Sequence, residues 1–257
     1  MVKGTELASH TGALVLRKSF DGVEKTIRFL GTAFSFSANH SLFMTAAHVF
    51  PSEIPADHRC VIALRATNGS TRYIGVEATE VLSGQPDVLL IRTSEPVQPL
   101  AELCPVAPSV WTRVRSIGIP DALVVALPKG GFSIAGRGVA GIIQRAIPAN
   151  AEPYAQGPSF ELSFTVPSGA SGSPIYAYTE VPSESRGLVG IALGNAESSP
   201  AAWLVDSEFI DGKWQEVKRK RVVEYGIAAN LIAVRDVELT LADGLTLEVI
   251  SRAENYS

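Results

Sequence analysis

The stretch FMTAAHVF, residues 43–50, carries one of only four histidines in the chain at the end of an apolar run. A strand covered on both faces reads as such a continuous run rather than as an alternating one. An imidazole at its end has two readings. It is either a core histidine satisfied by a backbone carbonyl, or an ionisable group held at the rim of a sheet.

Working outward, the other apolar segments are also short, β-branched or aromatic, and bounded by turn residues. They include Gly12–Leu16, Thr32–Ser37, Leu42–Ala46, Val61–Ala66, Val88–Arg92, Val114–Ile119, Phe160–Thr165 and Leu188–Leu193. The 22 Gly and 16 Pro supply the punctuation, and helical periodicity is hard to find before the last quarter. This pattern predicts an all-β fold, barrel or sandwich. The segment TSEPVQPLAELCPVAP, residues 93–108, has four prolines and no alternation. Proline cannot donate to a sheet ladder, so the segment reads as a connection. It divides the chain into residues 1–95 and 109–257, linked by 96–108, each part long enough for a small barrel. GIAANLIAVRDV, from Gly226, reads as a short helix. Leu245, Leu247 and Val249 alternate with polar positions, so the segment from Asp236 reads as a closing strand.

Composition narrows the function classes. The net charge is −4, so no overall field draws the protein to nucleic acid or an anionic membrane. The run Lys218–Arg221 reads as a solvated strand end. No window approaches a membrane span. The N-terminal residues lack a signal-peptide pattern, and two cysteines, Cys60 and Cys104, make no disulfide framework. The expectation is a cytoplasmic protein.

A second stretch, VPSGASGSPIY, residues 166–176, places a serine between Gly169 and Gly172. Glycines let the backbone turn sharply and aim consecutive N–H groups at one point. Acyl transfer needs such donors for the developing oxyanion, and here Gly169 and Ser171 could supply them. A serine hydroxyl also needs a base, and the base needs an orienting group. His48 ends the strongest apolar strand, whereas His10, His40 and His58 lie in turn-like contexts. Asp87, in QPDVLLI, opens an apolar strand directly after a proline; Asp57 and Asp121 precede no comparable run. All four histidines precede Ser171, which rules out the order Ser…Asp…His. An Asp…His…Ser order through Asp21 would need an α/β chain that this composition does not show. His48…Asp87…Ser171 remains.

The stretches Thr45-Ala46-Ala47-His48, Asp87-Val88-Leu89-Leu90 and Gly169-Ala170-Ser171-Gly172-Ser173-Pro174 resemble the three signature regions of chymotrypsin-like serine peptidases. Gly31–Phe36 is similar to the strand before the histidine loop, and Gly190–Gly194 to the substrate-binding strand. The resemblance implies two antiparallel six-stranded β-barrels with a short C-terminal helix/strand extension. It places His48 and Asp87 on the first barrel and Ser171 on the second. It implies Ser171 as nucleophile, His48 as base, Asp87 as orienting carboxylate, and the Gly169 and Ser171 N–H groups as the oxyanion hole.

The sequence departs from secreted relatives in two places. Ala170 stands where they carry an aspartate that pairs with a freshly cut N-terminus, so no such switch is expected. Ala33 and Val49 stand near the positions of bracing cysteines. Thr165 and Val166 fall near the floor of the primary specificity pocket, with Ala192, Leu193 and Gly194 on its wall. No acid occurs between Leu162 and Ser171, which disfavours a basic substrate residue there, unless Glu161 or Asp206 reaches in. The expectation is a serine endopeptidase acting on peptide or protein, without metal or organic cofactor. The sequence leaves room for a regulatory protein partner. A peptide-binding module on the same fold and a serine esterase on the same site are the alternatives.

Overall fold

The computed structural model describes residues 10–66, 69–99, 102–126, 132–178, 187–198, 203–210, 213–220 and 223–253. The strands of the first half are β1 (Thr11–Phe20), β2 (Val23–Ser37), β3 (Leu42–Ala46), β4 (His58–Arg65), β5 (Thr71–Val81) and β6 (Val88–Thr93). They close into an antiparallel barrel in the order β1-β2-β3-β6-β5-β4. The second half begins with β7 (Arg113–Gly118) and a hairpin of β8 (Val124–Ala126) and β9 (Phe132–Ile134). It continues with β10 (Arg137–Ile147), β11 (Ser159–Leu162), β12 (Pro174–Ala177) and β13 (Gly187–Ser198). A second hairpin, β14 (Trp203–Ile210) and β15 (Lys213–Lys220), precedes β16 (Val223–Asn230). The second barrel closes as β10-β11-β16-β13-β12-β7. The two six-stranded barrels agree with the expected fold.

Side-chain alternation explains the nearly continuous apolar run at β3, whose one polar residue, Thr45, is itself buried. Phe43 points into the interior of the first barrel, with Leu14, Ile62, Ile74, Leu89 and Ile91. Leu42, Met44 and Ala46 point the other way, into a larger cluster shared with Ile143, Phe160 and Ile191 of the second barrel. β6 repeats the arrangement, with Leu89 and Ile91 inward and Val88 and Leu90 toward the second barrel. A strand between two apolar layers has no polar face to show. Each fully buried Leu, Met or Phe stabilises by about 1.5–3 kcal/mol.

The link between the halves is stitched to the second barrel. Leu188 N–H donates to Glu102 O (2.7 Å) and Cys104 N–H to Leu188 O (2.8 Å), which buries Leu103 and Cys104.

Two expectations for the last quarter are corrected. Gly226–Asn230 is the end of strand β16, followed by a single 3-10 turn at Ile232–Val234. Leu245 and Thr246 form only a two-residue strand, β18, against β17 (Glu238–Leu239). Leu247–Ala253 is then an α-helix, α1, that buries Leu247, Ile250 and Ser251 and exposes Val249. The tertiary surface it meets selects the 3.6-residue spacing over alternation. Glu80 on β5 accepts the N–H groups of Thr240 and Leu241 (2.9 and 2.7 Å), and the Ser251 hydroxyl accepts the Leu103 N–H (2.6 Å).

Candidate active site

β3 ends at Ala46, and His48 follows in a 3-10 turn, Ala47–Val49. It is therefore no core histidine: 47% of its side chain is exposed. The turn is gripped by one residue. Asp87 O accepts the Ala47 N–H (2.9 Å), and its Oδ1 accepts the His48 backbone N–H (3.0 Å). His48 Nδ1 lies 2.9 Å from both carboxylate oxygens. With Nδ1 as the donor, Nε2 is the free basic nitrogen, and it faces away from the carboxylate. Asp87 can do this because β6 starts beside the end of β3, with Ala46 opposite Val88 in the ladder.

Ser171 lies on the turn between β11 and β12. Gly169 and Gly172 flank it with φ of +84° and +89°, conformations that L side chains rarely adopt. Space requires glycine as well. A Cβ on Gly172 would sit 2.0 Å from Thr32 O, and one on Gly169 would sit 2.5 Å from Asp121 Oδ1. The turn is pinned on both sides. Gly172 N–H donates to Ala192 O, and Ala192 N–H to Ser173 O, each at 2.8 Å. From the first barrel, Thr32 N–H donates to Ser171 O (2.9 Å) and Thr32 Oγ1–H to Gly169 O (3.0 Å).

The peptide preceding Gly169 is held by Asp121. Its N–H donates to Ser168 O (2.9 Å), and the Ser168 hydroxyl donates to its Oδ2. In a trans peptide the C=O and N–H point in opposite directions. Fixing the Ser168 carbonyl outward therefore fixes the Gly169 N–H on the other side. The Ser171 hydroxyl donates to Leu193 O (2.8 Å), so His48 is not its hydrogen-bond partner in this state. Leu193 connects the two parts, because it also lines a cavity of about 340 Å³ beside His48, with Gln85, Asp87, Tyr154 and Gln156. Among the described residues no group of three or more His, Cys, Asp or Glu could hold a metal ion.

A family model described as a trypsin-like peptidase domain matches residues 31–181, more than half of the chain, and this interval contains His48, Asp87 and Ser171. The chain belongs to the trypsin-like peptidase family. No curated protein matches this trypsin-like peptidase. A solved structure titled "Crystal structure of Deg5" is similar to it, with 12% identity over 74% of this chain and 81% of that one, and a TM-score of 0.51. That likeness bears on the fold, and it agrees with the two barrels.

The segments expected at the specificity pocket of this trypsin-like peptidase flank Ser171. Thr165 is exposed and Val166 buried. Ala192 is buried and braces the serine turn, Leu193 holds the Ser171 hydroxyl, and a Cβ on Gly194 would meet nothing within 4 Å. Glu161 is engaged by Arg145 (3.1 Å), and the side chains of Asp206 and of Lys218–Arg221 lie outside the described residues. Three residues escaped the sequence reading of the site: Thr32, Asp121 and Asn195. Thr32 stands inside the motif Gly31–Phe36, and Asp121 is visible in the sequence only as a competitor for the orienting carboxylate.

Proposed function

We propose that this serine peptidase family member is an active endopeptidase in which Ser171 is the nucleophile, His48 the general base and Asp87 the orienting carboxylate. The observation that carries this reading is the grip of Asp87 on both the backbone N–H and Nδ1 of His48. A carboxylate with a merely structural role in the turn needs only the backbone contact. The additional ring contact sets the tautomer that leaves Nε2 free to take a proton.

In this mechanism an extended peptide pairs with the edge of β13 near Leu193. Its N–H competes for the Leu193 carbonyl and releases the Ser171 hydroxyl, which turns toward His48. Catalytic hydrogen bonds that form only with substrate bound are common. Ser171 Oγ attacks the scissile carbonyl as His48 Nε2 takes its proton. The Gly169 and Ser171 N–H groups receive the oxyanion. His48 then gives the proton to the leaving amine, and water hydrolyses the acyl-enzyme through the same base. Because Asp121 and Thr32 hold the oxyanion turn from within the chain, no liberated N-terminus is required.

The test is labelling with a fluorophosphonate probe, with the modified peptide located by mass spectrometry. Stoichiometric label on Ser171, absent in Ser171→Ala and strongly slowed in His48→Ala, is the expected result. A folded wild-type protein that takes no label overturns the proposal and leaves a peptide-binding module on a peptidase fold.

A further inference from the structure

Asn195 follows Gly194 on β13, and its side chain crosses to the segment that precedes the nucleophile. Its Oδ1 accepts the Val166 N–H (2.6 Å), and its Nδ2 donates to Val166 O (2.9 Å). The amide thus copies a peptide unit and satisfies both backbone groups of Val166 at once. The same two walls are joined a second time. Gly226, opposite Asn195 in the β13–β16 ladder, donates its N–H to Phe164 O (2.8 Å). A Cβ on Gly226 would sit 2.5 Å from that oxygen. Residues 164–166 are therefore laid against the β13–β16 ribbon with hydrogen bonds where a deep pocket would need space.

Resting on the endopeptidase reading, we infer that Asn195 sets the specificity of the site by closing the primary pocket, so that the residue contributing the scissile carbonyl must have a small uncharged side chain. A substrate carbonyl placed at Ser171 sends its side chain between residues 165–166 and 193–195. Gly194 adds no side chain of its own to that wall, so a methyl or hydroxymethyl group fits without displacing Asn195. A longer side chain meets the Asn195 amide and must break both of its bonds to Val166. That costs about tenfold to a hundredfold in binding, and residues 163–170 and 193–195 include no charged side chain to pair with a basic or acidic group. Discrimination among larger residues then falls to the cavity beside His48, which Leu193 also lines.

The experiment uses the full chain and a library of acetyl-tetrapeptide aminocoumarin amides. The residue before the coumarin is varied, and equimolar mixtures fill the other positions. The wild type is expected to turn over Ala and Ser substrates at least about tenfold faster in kcat/KM than Leu, Phe or Lys substrates. Asn195→Gly should raise the kcat/KM of Leu and Phe substrates relative to that of Ala substrates by about 10–200-fold. A general loss of packing would lower every substrate together. Asn195→Ala serves if the glycine variant does not fold, and the wild-type profile alone can overturn the inference. Label on Ser171 together with equal or better turnover of Phe or Lys substrates sinks the role of Asn195 and leaves the endopeptidase standing. If the fluorophosphonate leaves folded protein unlabelled, the endopeptidase reading fails and the specificity inference fails with it.

Discussion

Thr32 of the first barrel donates its backbone N–H to the carbonyl of Ser171 on the second, at 2.9 Å. Its hydroxyl also donates to Gly169 O and accepts the Ile119 N–H at 2.9 Å, while its carbonyl accepts the Thr45 hydroxyl at 2.6 Å. One fully buried residue therefore ties the barrel that carries His48 to the serine turn on one side and to the Asp121 loop on the other.

Thr32→Val keeps the volume but strands Gly169 O and Ile119 N–H without their partner. Two buried unpaired groups cost about 1–3 kcal/mol each. Chemical denaturation should show that loss, and fluorophosphonate labelling of Ser171 in the folded fraction should slow about tenfold or more. An unchanged labelling rate in a destabilised variant would reduce Thr32 to a structural tie.

Asp87→Asn retains an oxygen for the His48 backbone N–H but offers an amide donor to the ring. The imidazole then presents the wrong nitrogen, and kcat should fall about 10⁴-fold with little change in unfolding midpoint. Steady-state kinetics beside a denaturation curve distinguishes this from a folding defect.

Asp121→Ala removes the acceptor of the Ser168 hydroxyl, leaves the Ser168 carbonyl on the backbone N–H of residue 121 alone, and so loosens the peptide before Gly169. A donor lost from an oxyanion hole for part of the time lowers kcat more than it raises KM. The expected signature is a kcat loss of about tenfold with KM nearly constant. Loss confined to KM would mean that the Asp121 loop positions substrate instead.

Alkaline pH should destabilise the protein in a defined window. Burial pushes the Cys60 thiol up from 9.0 to about 12, and the largest cause for Tyr154, also raised to about 12, is again burial. The folded chain holds these protons where the unfolded chain releases them. Stability from Cys60 is complete below about pH 9, and it falls by about 1.4 kcal/mol per pH unit above that until about pH 12. Denaturation midpoints measured from pH 7 to 11 should be flat and then fall. Cys60→Ala should flatten the descent, and a descent that survives this change would reassign it to Tyr154.

Much of this arrangement was legible in the sequence, for physical reasons that can be named. The run at residues 42–46 reads as a strand covered on both faces, because Thr45 is its only polar residue. The Gly169 and Gly172 pair marked a turn that other residues cannot form. Thr32, Asp121 and Asn195 left no such mark. Each is an ordinary polar residue whose partners lie tens of residues away, and only barrel closure brings them together. The C-terminal helix was hidden for another reason. Leu245, Leu247 and Val249 satisfy alternation, whereas Leu247, Ile250 and Ser251 satisfy helical spacing. A seven-residue segment fits either until a surface selects one. The left-handed pair Asp243 and Gly244, with φ of 54° and 81°, turns the chain onto that surface.

The Glu80 carboxylate holds residues 240 and 241 against the outside of the first barrel, and Leu82 shares its apolar cluster with Leu239, Ala242, Leu247 and Ile250. The ribosome makes those residues after every barrel strand. Chains usually fold as they emerge, the N-terminal unit first, but here the first barrel receives its outer layer last. His48 and Asp87 thus wait, incompletely supported, throughout synthesis of the half that carries Ser171. A nascent chain therefore carries His48 and Asp87 long before it carries the last layer packed on their barrel.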